Sequence, residues 1–340
     1  MTRLGLIGCG GMASVHAARF AAAGERLQVT AVVDVIEDKA RQVADELGRG
    51  VRVSTDYREI LDHVDAVLVA TPHHLHHEIG LTCLDAGKHV LMEKPLANTE
   101  AQCVDLIDAA ERADRMLMVA YPMRFHPLAV ELGRLIHDKE YGETFHLSLW
   151  TEQLSEYGPD EWFSKAATLG GGQLFSHGCH YIDLLLWYLG DPVSGFHMGT
   201  NLGTPWMERE GTSDVSIKFE SGAVGYHGGT WGARGTKLNY AFHALTTEGC
   251  LEADFPAGKL QFHQGSQTTT LVEAEPWSKF VQNEMAHFLD CVETGATPIT
   301  DARSSLQSLR VIWRLYEAED TGAIADLRGL GLAHARVGRT

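Results

Sequence analysis

The sequence lacks the marks of membrane and secreted proteins. Its longest apolar run, residues 184–189, is far shorter than the ~18 residues that indicate a membrane-spanning helix. Residues 1–7 have a strand-like pattern, without the charged, apolar and small-residue regions of a signal peptide. The six cysteines are scattered and form no CxxC pair, a pattern that fits neither a zinc framework nor a disulfide scaffold and is typical of reduced thiols. We therefore expect a cytoplasmic protein with no membrane partner.

Positive charge is also scarce. The chain has 28 Lys and Arg against 45 Asp and Glu, and its net charge is −17. Nucleic acids require a clustered basic face, so this balance argues against a nucleic-acid partner and, less strongly, against anionic substrates. The remaining composition, 44% hydrophobic and 21% charged, is that of an ordinary globular protein. At roughly 150 residues per domain, 340 residues favour two domains.

The first part of the chain alternates short β-rich runs with helical patterns. Predicted strands cover residues 3–7, 27–33, 51–54, 66–70, 89–92 and 116–120. Glycines at 24, 48 and 87 stand where helices between the strands are expected to end in a left-handed residue. Alternation of this kind predicts right-handed βαβ units and a doubly wound parallel sheet over residues 1–122.

The rhythm changes after Tyr121 and Pro122, where we place the domain boundary. Residues 145–149 alternate as a half-buried strand, and residues 215–219 and 223–226 form a predicted hairpin around Gly222. Strands then follow one another without intervening helices, and helices return near the end. This order predicts a second α/β domain, residues 123–340, with a large, mainly antiparallel sheet covered on one face.

Residues 8–13 read Gly-Cys-Gly-Gly-Met-Ala and match the pattern G-x-G-x-x-A. The match follows a predicted strand and precedes a predicted helix, and Asp34 stands about 20 residues later at the end of the second strand. Gly8 permits the tight turn, Gly10 lets the backbone approach a pyrophosphate, and Ala13 allows close helix packing. In this context the motif predicts dinucleotide binding, with Asp34 accepting hydrogen bonds from the adenosine ribose.

Asp34 also indicates which nucleotide is bound. Its carboxylate would repel a 2′-phosphate, and neither Val35 nor Ile36 supplies a group to hold one. We therefore expect NAD, with NADP the less favoured cofactor. A shifted register could still bring Lys39 or Arg41 to a 2′-phosphate.

Three further segments add to the fingerprint. Residues 70–77 (Ala-Thr-Pro-His-His-Leu-His-His) are similar to T-P-N-x-x-H, and residues 92–95 contain E-K-P. Residues 170–183 (Gly-Gly-Gly-Gln-Leu-Phe-Ser-His-Gly-Cys-His-Tyr-Ile-Asp) are similar to G-G-G-x-L-x-D-x-G-x-H-x-x-D. Together, in this order and spacing, they resemble the Gfo/Idh/MocA oxidoreductases over residues 1 to about 192. The resemblance implies a Rossmann domain followed by an α/β domain whose open sheet face mediates oligomerisation, so we expect a homodimer or homotetramer.

The resemblance also implies a hydride transfer between NAD and a hydroxyl-bearing carbon of a sugar or cyclitol. The cofactor contacts expected from the fingerprint and the resemblance are Gly8, Gly10, Gly11, Met12, Asp34, Thr71, Pro72, His73, His76, Glu93, Lys94 and Arg124. The expected substrate contacts are Lys94, Trp162, His177 and His180. Trp162 could equally stack on a sugar ring or pack in the core.

Proton handling is assigned to Lys94, His180 and Ser176. Lys94 ends the fifth strand, at the rim where open α/β sheets bind ligands, and the resemblance places its ammonium at the substrate oxygen. His180 lies four residues after Ser176 on a helix predicted over residues 173–189, so the two share a face. Imidazole can accept a proton near neutrality. Asp183 could reach His180 or serve helix packing.

Two residues depart from the family pattern. His73 replaces the usual Asn, and Ser176 replaces an Asp that would stabilise a protonated His180. A serine can set the imidazole tautomer but carries no charge. His180 should therefore be the weaker base here, and Lys94 should carry more of the proton transfer.

Other interpretations remain open. The histidines at 73, 74, 76 and 77, or at 177 and 180, could be drawn as metal ligands, but no Cys or carboxylate completes a recognisable set, so we expect no metal. A redox-neutral glycosidase that uses NAD transiently is one alternative function. The other alternative is a cofactor-sensing regulator without catalytic activity, which remains open because Ser176 replaces the Asp of the family pattern.

Overall fold

The secondary structure was assigned in a computed structural model, which describes residues 1–276 and 279–336. The strands, numbered along the chain, are β1 (Thr2–Ile7), β2 (Leu27–Val33), β3 (Arg52–Ser54), β4 (Ala66–Val69), β5 (His89–Glu93), β6 (Leu117–Ala120), β7 (Thr144–Glu152), β8 (Pro192–Thr200), β9 (Thr212–Phe219), β10 (Val224–Thr230), β11 (Tyr240–Thr246), β12 (Cys250–Asp254), β13 (Lys259–Gln264), β14 (Gln267–Glu273) and β15 (Ala325–Asp326). The α-helices are α1 (Gly11–Ala17), α2 (Glu37–Leu47), α3 (His76–Asp85), α4 (Glu100–Ala113), α5 (Pro127–Asp138), α6 (Ala166–Leu169), α7 (Cys179–Leu189), α8 (Val281–Thr294) and α9 (Ala302–Thr321).

The chain forms two compact units. The first comprises Met1–Pro122 and Phe280–Ser305, and the second comprises the described parts of Met123–Lys279 and Leu306–Thr340. The sequence prediction divides the chain into residues 1–122 and 123–340. In the structure, residues 280–305 belong to the first unit, although they lie within the second predicted range.

The first unit contains a six-stranded parallel sheet in the order β3-β2-β1-β4-β5-β6. Each of its strand pairs is parallel. Apolar residues from the central strands, including Leu4, Val32, Leu68 and Leu91, are completely buried, because both faces of such a sheet are covered. This confirms the predicted doubly wound sheet, and the strand order is that of a dinucleotide-binding fold.

Residues 280–305 contact the rest of the first unit in two places. Helix α8 packs against α1 and the turn Phe20–Arg26, and Arg26 pairs with Asp290 at 2.7 Å. Farther along, Val119 N donates to Thr300 O at 2.9 Å and Met118 bridges to Asp301. Residues 300–301 therefore lie against β6, which ends the six-stranded sheet.

The second unit contains a nine-stranded sheet in the order β14-β13-β12-β11-β7-β10-β9-β8-β15. Seven of its pairings are antiparallel, and only β7 with β10 is parallel. Helix α5 packs on β12, β13 and β14, and α7 packs on β10. Side chains such as Phe196 and Met198 on β8 are exposed, while Gly195 and His197, which alternate with them along the strand, are buried. The predicted mainly antiparallel sheet is confirmed.

Candidate functional site

The glycine-rich turn after β1 has the shape that the motif requires. Gly8 has a φ of +92°, and a Cβ there would lie 2.5 Å from Ala70 O. Both the backbone conformation and the lack of space therefore exclude a side chain. A Cβ on Gly10 or Gly11 would instead meet no atom of the described residues within 4 Å. The turn is therefore closed on the side of β4 and leaves free space beside Gly10 and Gly11.

Asp34 ties this turn to the end of β2. Its Oδ2 accepts from Cys9 N at 2.8 Å and its Oδ1 accepts from Ile36 N at 2.9 Å. Burial and the neighbouring Asp34 charge raise the pKa of the Cys9 thiol to about 12, so Cys9 stays protonated. The next two residues are apolar and exposed, Val35 by 86% and Ile36 by 50%. An acidic group is thus followed by an apolar surface, with no basic side chain between them.

The loop after β4 contains Thr71, Pro72 and His73 and leads into α3 at His76. The ring of His76 is completely buried, with Nδ1 2.8 Å from Pro95 O and Nε2 3.0 Å from Thr71 O. Burial lowers the pKa of His76, so the ring is neutral and donates to one of the two carbonyls at a time. His76 therefore connects the loop after β4 to the loop after β5.

The buried hydroxyl of Thr71 has no hydrogen-bond partner among the described residues. The nearby His73 is 4% exposed, and its ring lies 5.7 Å from that of His76. A buried hydroxyl without a partner is costly in a folded protein, which indicates that a ligand or water completes this loop.

Glu93 and Lys94 follow β5. Glu93 is 5% exposed, its Oε1 lies 2.9 Å from Nε2 of the buried His16 on α1, and its Oε2 accepts from Lys94 N at 3.2 Å. Lys94 is partly exposed, and its bond to Pro95 is cis. His16 thus holds the Glu93 carboxylate, which in turn contacts the backbone of Lys94.

A second carboxyl group, Glu284 on α8, is influenced by the charge of Glu93. Glu284 is completely buried, and neither of its carboxyl oxygens has a hydrogen-bond partner among the described residues. Burial, and then the charge of Glu93, raises the pKa of Glu284 well above the ordinary range. Burial without a hydrogen-bond partner among the described residues therefore favours the protonated form of Glu284.

Ser176, His177 and His180 lie on one continuous helical stretch of the second unit. The predicted helix over residues 173–189 is present, but Leu174–Gly178 form a π-helical segment before α7. Ser176 is 1% exposed and His180 is 8% exposed. The rings of His177 and His180 are 6.0 Å apart. Such π segments are frequent at functional sites.

His177 belongs to a chain of polar groups. Gln173 Nε2 lies 3.3 Å from its Nδ1, and Tyr240 Oη lies 3.2 Å from its Nε2. The Tyr240 hydroxyl donates to Gln153 Oε1, so His177 Nε2 must be the donor to Tyr240 Oη. The chain therefore holds His177 in the Nε2–H tautomer, with its ring partly exposed.

Arg124 and Trp162 also lie in the second unit. The Arg124 guanidinium donates to both oxygens of Asp183, at 2.6 and 3.2 Å, and this pair is buried. Asp183 therefore pairs with Arg124, and Ser308 Oγ donates to its Oδ1 at 3.3 Å. Trp162 packs on Phe163 and on a cluster with Trp231, and it remains partly exposed.

The sequence did not single out His16, Glu284, Gln173, Tyr240 or Gln153. His16, Gln173 and Tyr240 become significant through a contact with a motif residue, and Glu284 through the charge of Glu93. Gln153 becomes significant through its hydrogen bond from Tyr240. Among the described residues, no group of three or more His, Cys, Asp and Glu side chains could hold a metal ion. No helix in the described part of the chain is long and apolar enough to cross a membrane.

The chain is similar to known oxidoreductases in both sequence and structure. In sequence, the chain is 27% identical over 307 residues to D-xylose 1-dehydrogenase (NADP(+)) 2 of Haloferax volcanii, covering 88% of this chain and 92% of that protein. It is 34% identical over 226 residues to inositol 2-dehydrogenase 2 of Saccharopolyspora erythraea, covering 65% of this chain and 64% of that protein.

In structure, aldose-aldose oxidoreductase from Caulobacter crescentus matches with a TM-score of 0.84 at 25% identity, covering 96% of this chain and 99% of the other. Levoglucosan dehydrogenase in complex with NADH and L-sorbose shares the fold, with a TM-score of 0.86 at 21% identity and coverage of 97% and 100%.

Family models match both parts of the chain. The model described as "Oxidoreductase family, NAD-binding Rossmann fold" matches residues 2–121, and the model of the GFO/IDH/MocA C-terminal domain matches residues 130–252. These matches cover most of the chain and agree with the motifs at residues 8–13, 92–95 and 170–183. The chain therefore belongs to the Gfo/Idh/MocA family of oxidoreductases.

Proposed function

We propose that this protein is an NAD-dependent dehydrogenase that transfers a hydride between nicotinamide and a hydroxyl-bearing carbon of a sugar, sugar derivative or cyclitol. The observation that carries the proposal is the carboxyl edge of the first sheet. This edge combines the free space at Gly10 and Gly11, the Thr71 hydroxyl and the Glu93–Lys94 pair. The Thr71 hydroxyl has no hydrogen-bond partner in the part of the chain that the structure describes. Ligands of open α/β sheets bind there. The names of relatives, which include xylose, inositol and levoglucosan dehydrogenases, support the substrate class.

The residues of the first unit fit a dinucleotide. The backbone at Gly10, Gly11 and Met12 would approach the pyrophosphate, and Asp34 would accept from the adenosine ribose. Thr71, Pro72, His73 and Glu93 would contact the nicotinamide half, with His76 holding their two loops together. When bound, NAD supplies the hydride acceptor or donor of the reaction.

NAD is proposed over NADP because of the charge at the end of β2. A 2′-phosphate would meet the Asp34 carboxylate, and the exposed side chains that follow, Val35 and Ile36, are apolar. One relative carries NADP(+) in its name, so the preference rests on these three residues and not on the relatives.

Lys94 and His180 are proposed to handle the hydroxyl proton. Lys94 would hold the substrate oxygen and, as the neutral amine, would take its proton during oxidation and so become the ammonium. His180 would assist as a weaker base, because Ser176 offers no carboxylate to stabilise its protonated form. His177, fixed as an Nε2–H tautomer, would serve in substrate binding, and Trp162 offers a partly exposed ring for a sugar.

A homodimer or homotetramer is proposed from the exposed sheet face of the second unit. Phe196 and Met198 are 41% and 60% exposed on β8, and Leu245 on β11 is 38% exposed. Apolar side chains on an open sheet are typical of an interface. A cytoplasmic location is proposed from the six free cysteines, five of them buried.

The test is a screen of sugars and inositols with NAD, followed by NADH absorbance. Net NADH formation is expected with at least one neutral polyol, and free sugar release without net NADH would support the glycosidase alternative instead. Lys94→Ala should lower kcat by ~10²–10⁴-fold, the usual contribution of general acid–base catalysis, while the Kd of NADH stays unchanged. Tighter binding of NADP than of NAD would contradict the cofactor assignment. No turnover of any polyol, with NAD still bound, would leave the cofactor-sensing alternative.

A further inference from the structure

The helical stretch that carries Ser176, His177 and His180 begins with an unusually complete cap. The first four backbone N–H groups of a helix have no partner within it. Here these are Gly172, Gln173, Leu174 and Phe175, since the first intrahelical bond runs from Ser176 N to Gly172 O at 3.0 Å. All four N–H groups donate to only two residues, which lie far along the chain.

Glu210 and Tyr316 are those two residues. Gln173 N donates to the Glu210 carbonyl at 2.7 Å, and Leu174 N donates to Glu210 Oε1 at 3.3 Å. Gly172 N and Phe175 N both lie 3.2 Å from Tyr316 Oη, and this hydroxyl donates to Glu210 Oε1 at 2.6 Å. The two side chains therefore form one hydrogen-bonded unit with the helix start.

The cap also explains the glycines that precede the helix. A Cβ on Gly172 would lie 2.1 Å from the Glu210 carboxyl carbon, and a Cβ on Gly171 would lie 2.5 Å from Phe175 Cβ. The backbone can approach Glu210 this closely only where no side chain intervenes. Gly171 and Gly172 are thus required by this close packing, since neither has a positive φ, whereas Gly170, with a φ of +88°, is favoured by its backbone conformation.

Neither capping side chain is free to move. Both are 9% exposed, Tyr316 lies on α9, and Glu210 comes just before β9. The Arg209 guanidinium lies 5.1 Å above the Tyr316 ring, and the His197 ring packs against its edge at 5.2 Å. The position of the helix start is therefore set by α9 and by the sheet.

We infer that Glu210 and Tyr316 are positioning residues, which act through the helix they cap to place Ser176, His177 and His180 for the reaction. This inference rests on the proposed function, because it assumes that those three side chains meet the substrate. Displacing reacting groups by about 1 Å can cost ~10²-fold in rate, so a loosened cap should appear in kcat.

The experiment compares Tyr316→Phe, Glu210→Ala and Glu210→Gln with Tyr188→Phe as the control. Tyr188 is also buried and its hydroxyl donates to Ala129 O at 2.9 Å, so its variant loses one hydrogen bond at the far end of the same helix. Tyr316→Phe should speed amide hydrogen exchange at residues 172–178 and lower kcat roughly 10- to 100-fold. The Kd of NADH should not change. Glu210→Gln, which keeps an oxygen acceptor, should recover much of the activity that Glu210→Ala loses.

Unchanged exchange at residues 172–178 in Tyr316→Phe would overturn the inference. Equal losses of kcat in Tyr316→Phe and Tyr188→Phe at equal thermal stability would overturn it as well. If Glu210→Ala does not fold, Tyr316→Phe and Glu210→Gln still decide. If the wild type turns over no polyol, the proposed function fails, while hydrogen exchange still tests whether these residues fix the helix start.

Discussion

Ser176 is the residue at which this chain departs most from its family pattern. Ser176→Asp should place a carboxylate near His180, and a nearby negative charge favours the protonated imidazole. The acid limb of the pH–rate profile should then move to higher pH, and His180→Ala should cost more in the Asp background than in the wild type. Ser176→Asn, of the same size but uncharged, is the matched control. If neither Ser176→Asp nor Ser176→Asn moves the pH–rate profile, the role assigned to His180 is contradicted.

Glu284 gives a prediction about stability. Its pKa is raised in the folded protein above the ordinary 4.5, so the folded state keeps a proton that the unfolded state releases. Stability from this residue is therefore complete below about pH 4.5 and is lost as the pH rises from there through the folded pKa. Glu284→Gln mimics the neutral acid and removes this loss.

The difference in Tm between Glu284→Gln and the wild type, measured by thermal unfolding, should consequently increase as the pH rises from 5 to 8. Glu293→Gln is the control on the same helix, because Glu293 is exposed and pairs with Arg26. Its Tm relative to wild type should not rise with pH. A Glu284→Gln difference that is constant over the range would mean that Glu284 is ionised in the folded protein.

At the scale of elements, His76 makes a prediction about the two loops that it connects. His76→Ala removes the bond to Pro95 O or Thr71 O, and losing a buried hydrogen bond should lower the free energy of unfolding by roughly 1–3 kcal/mol. NADH binding should weaken too, since both loops contribute proposed contacts. His74→Ala, at an exposed neighbouring position, is the control and should change neither quantity. Denaturant unfolding and NADH titration measure the two effects.

Elements that depend on local pattern could be predicted from the sequence. The six parallel strands agree with the expected ranges to within a residue or two, because apolar runs and turn glycines mark them directly. The glycine turn at residues 8–13 was readable for the same reason. Gly24, Gly48 and Gly87 all have the expected positive φ.

Elements that depend on tertiary contacts could not be predicted from the sequence. The π-helical Leu174–Gly178 has an ordinary helical pattern, and its altered hydrogen bonding has no counterpart in the sequence. Glu210 and Tyr316 stand far from the glycines that they explain. His16 and Glu284 carry no motif, and they matter only because folding brings α1 and α8 to Glu93.

At the scale of the whole molecule, the exposed face of the nine-stranded sheet predicts self-association. Light scattering should return a dimer or tetramer, rather than the 37.3 kDa monomer. Phe196→Glu with Met198→Glu should lower the mass toward that of the monomer, because charges would be buried at the contact. Val130→Glu, an exposed apolar position on α5, is the control and should leave the assembly intact. A wild-type monomer would contradict the proposal.

The return of residues 280–305 to the first unit has a consequence for protein synthesis. Translation delivers β1 to β6 early, but their partner segment appears only once the ribosome has passed residue 305. Until then β6 lacks its contacts with Thr300 and Asp301, and a nascent chain carries an unpaired strand edge of the kind that invites aggregation. A gene fragment that stops at Pro122 would retain that edge permanently. Recombinant dissection of this protein should therefore join residues 280–305 to the first segment.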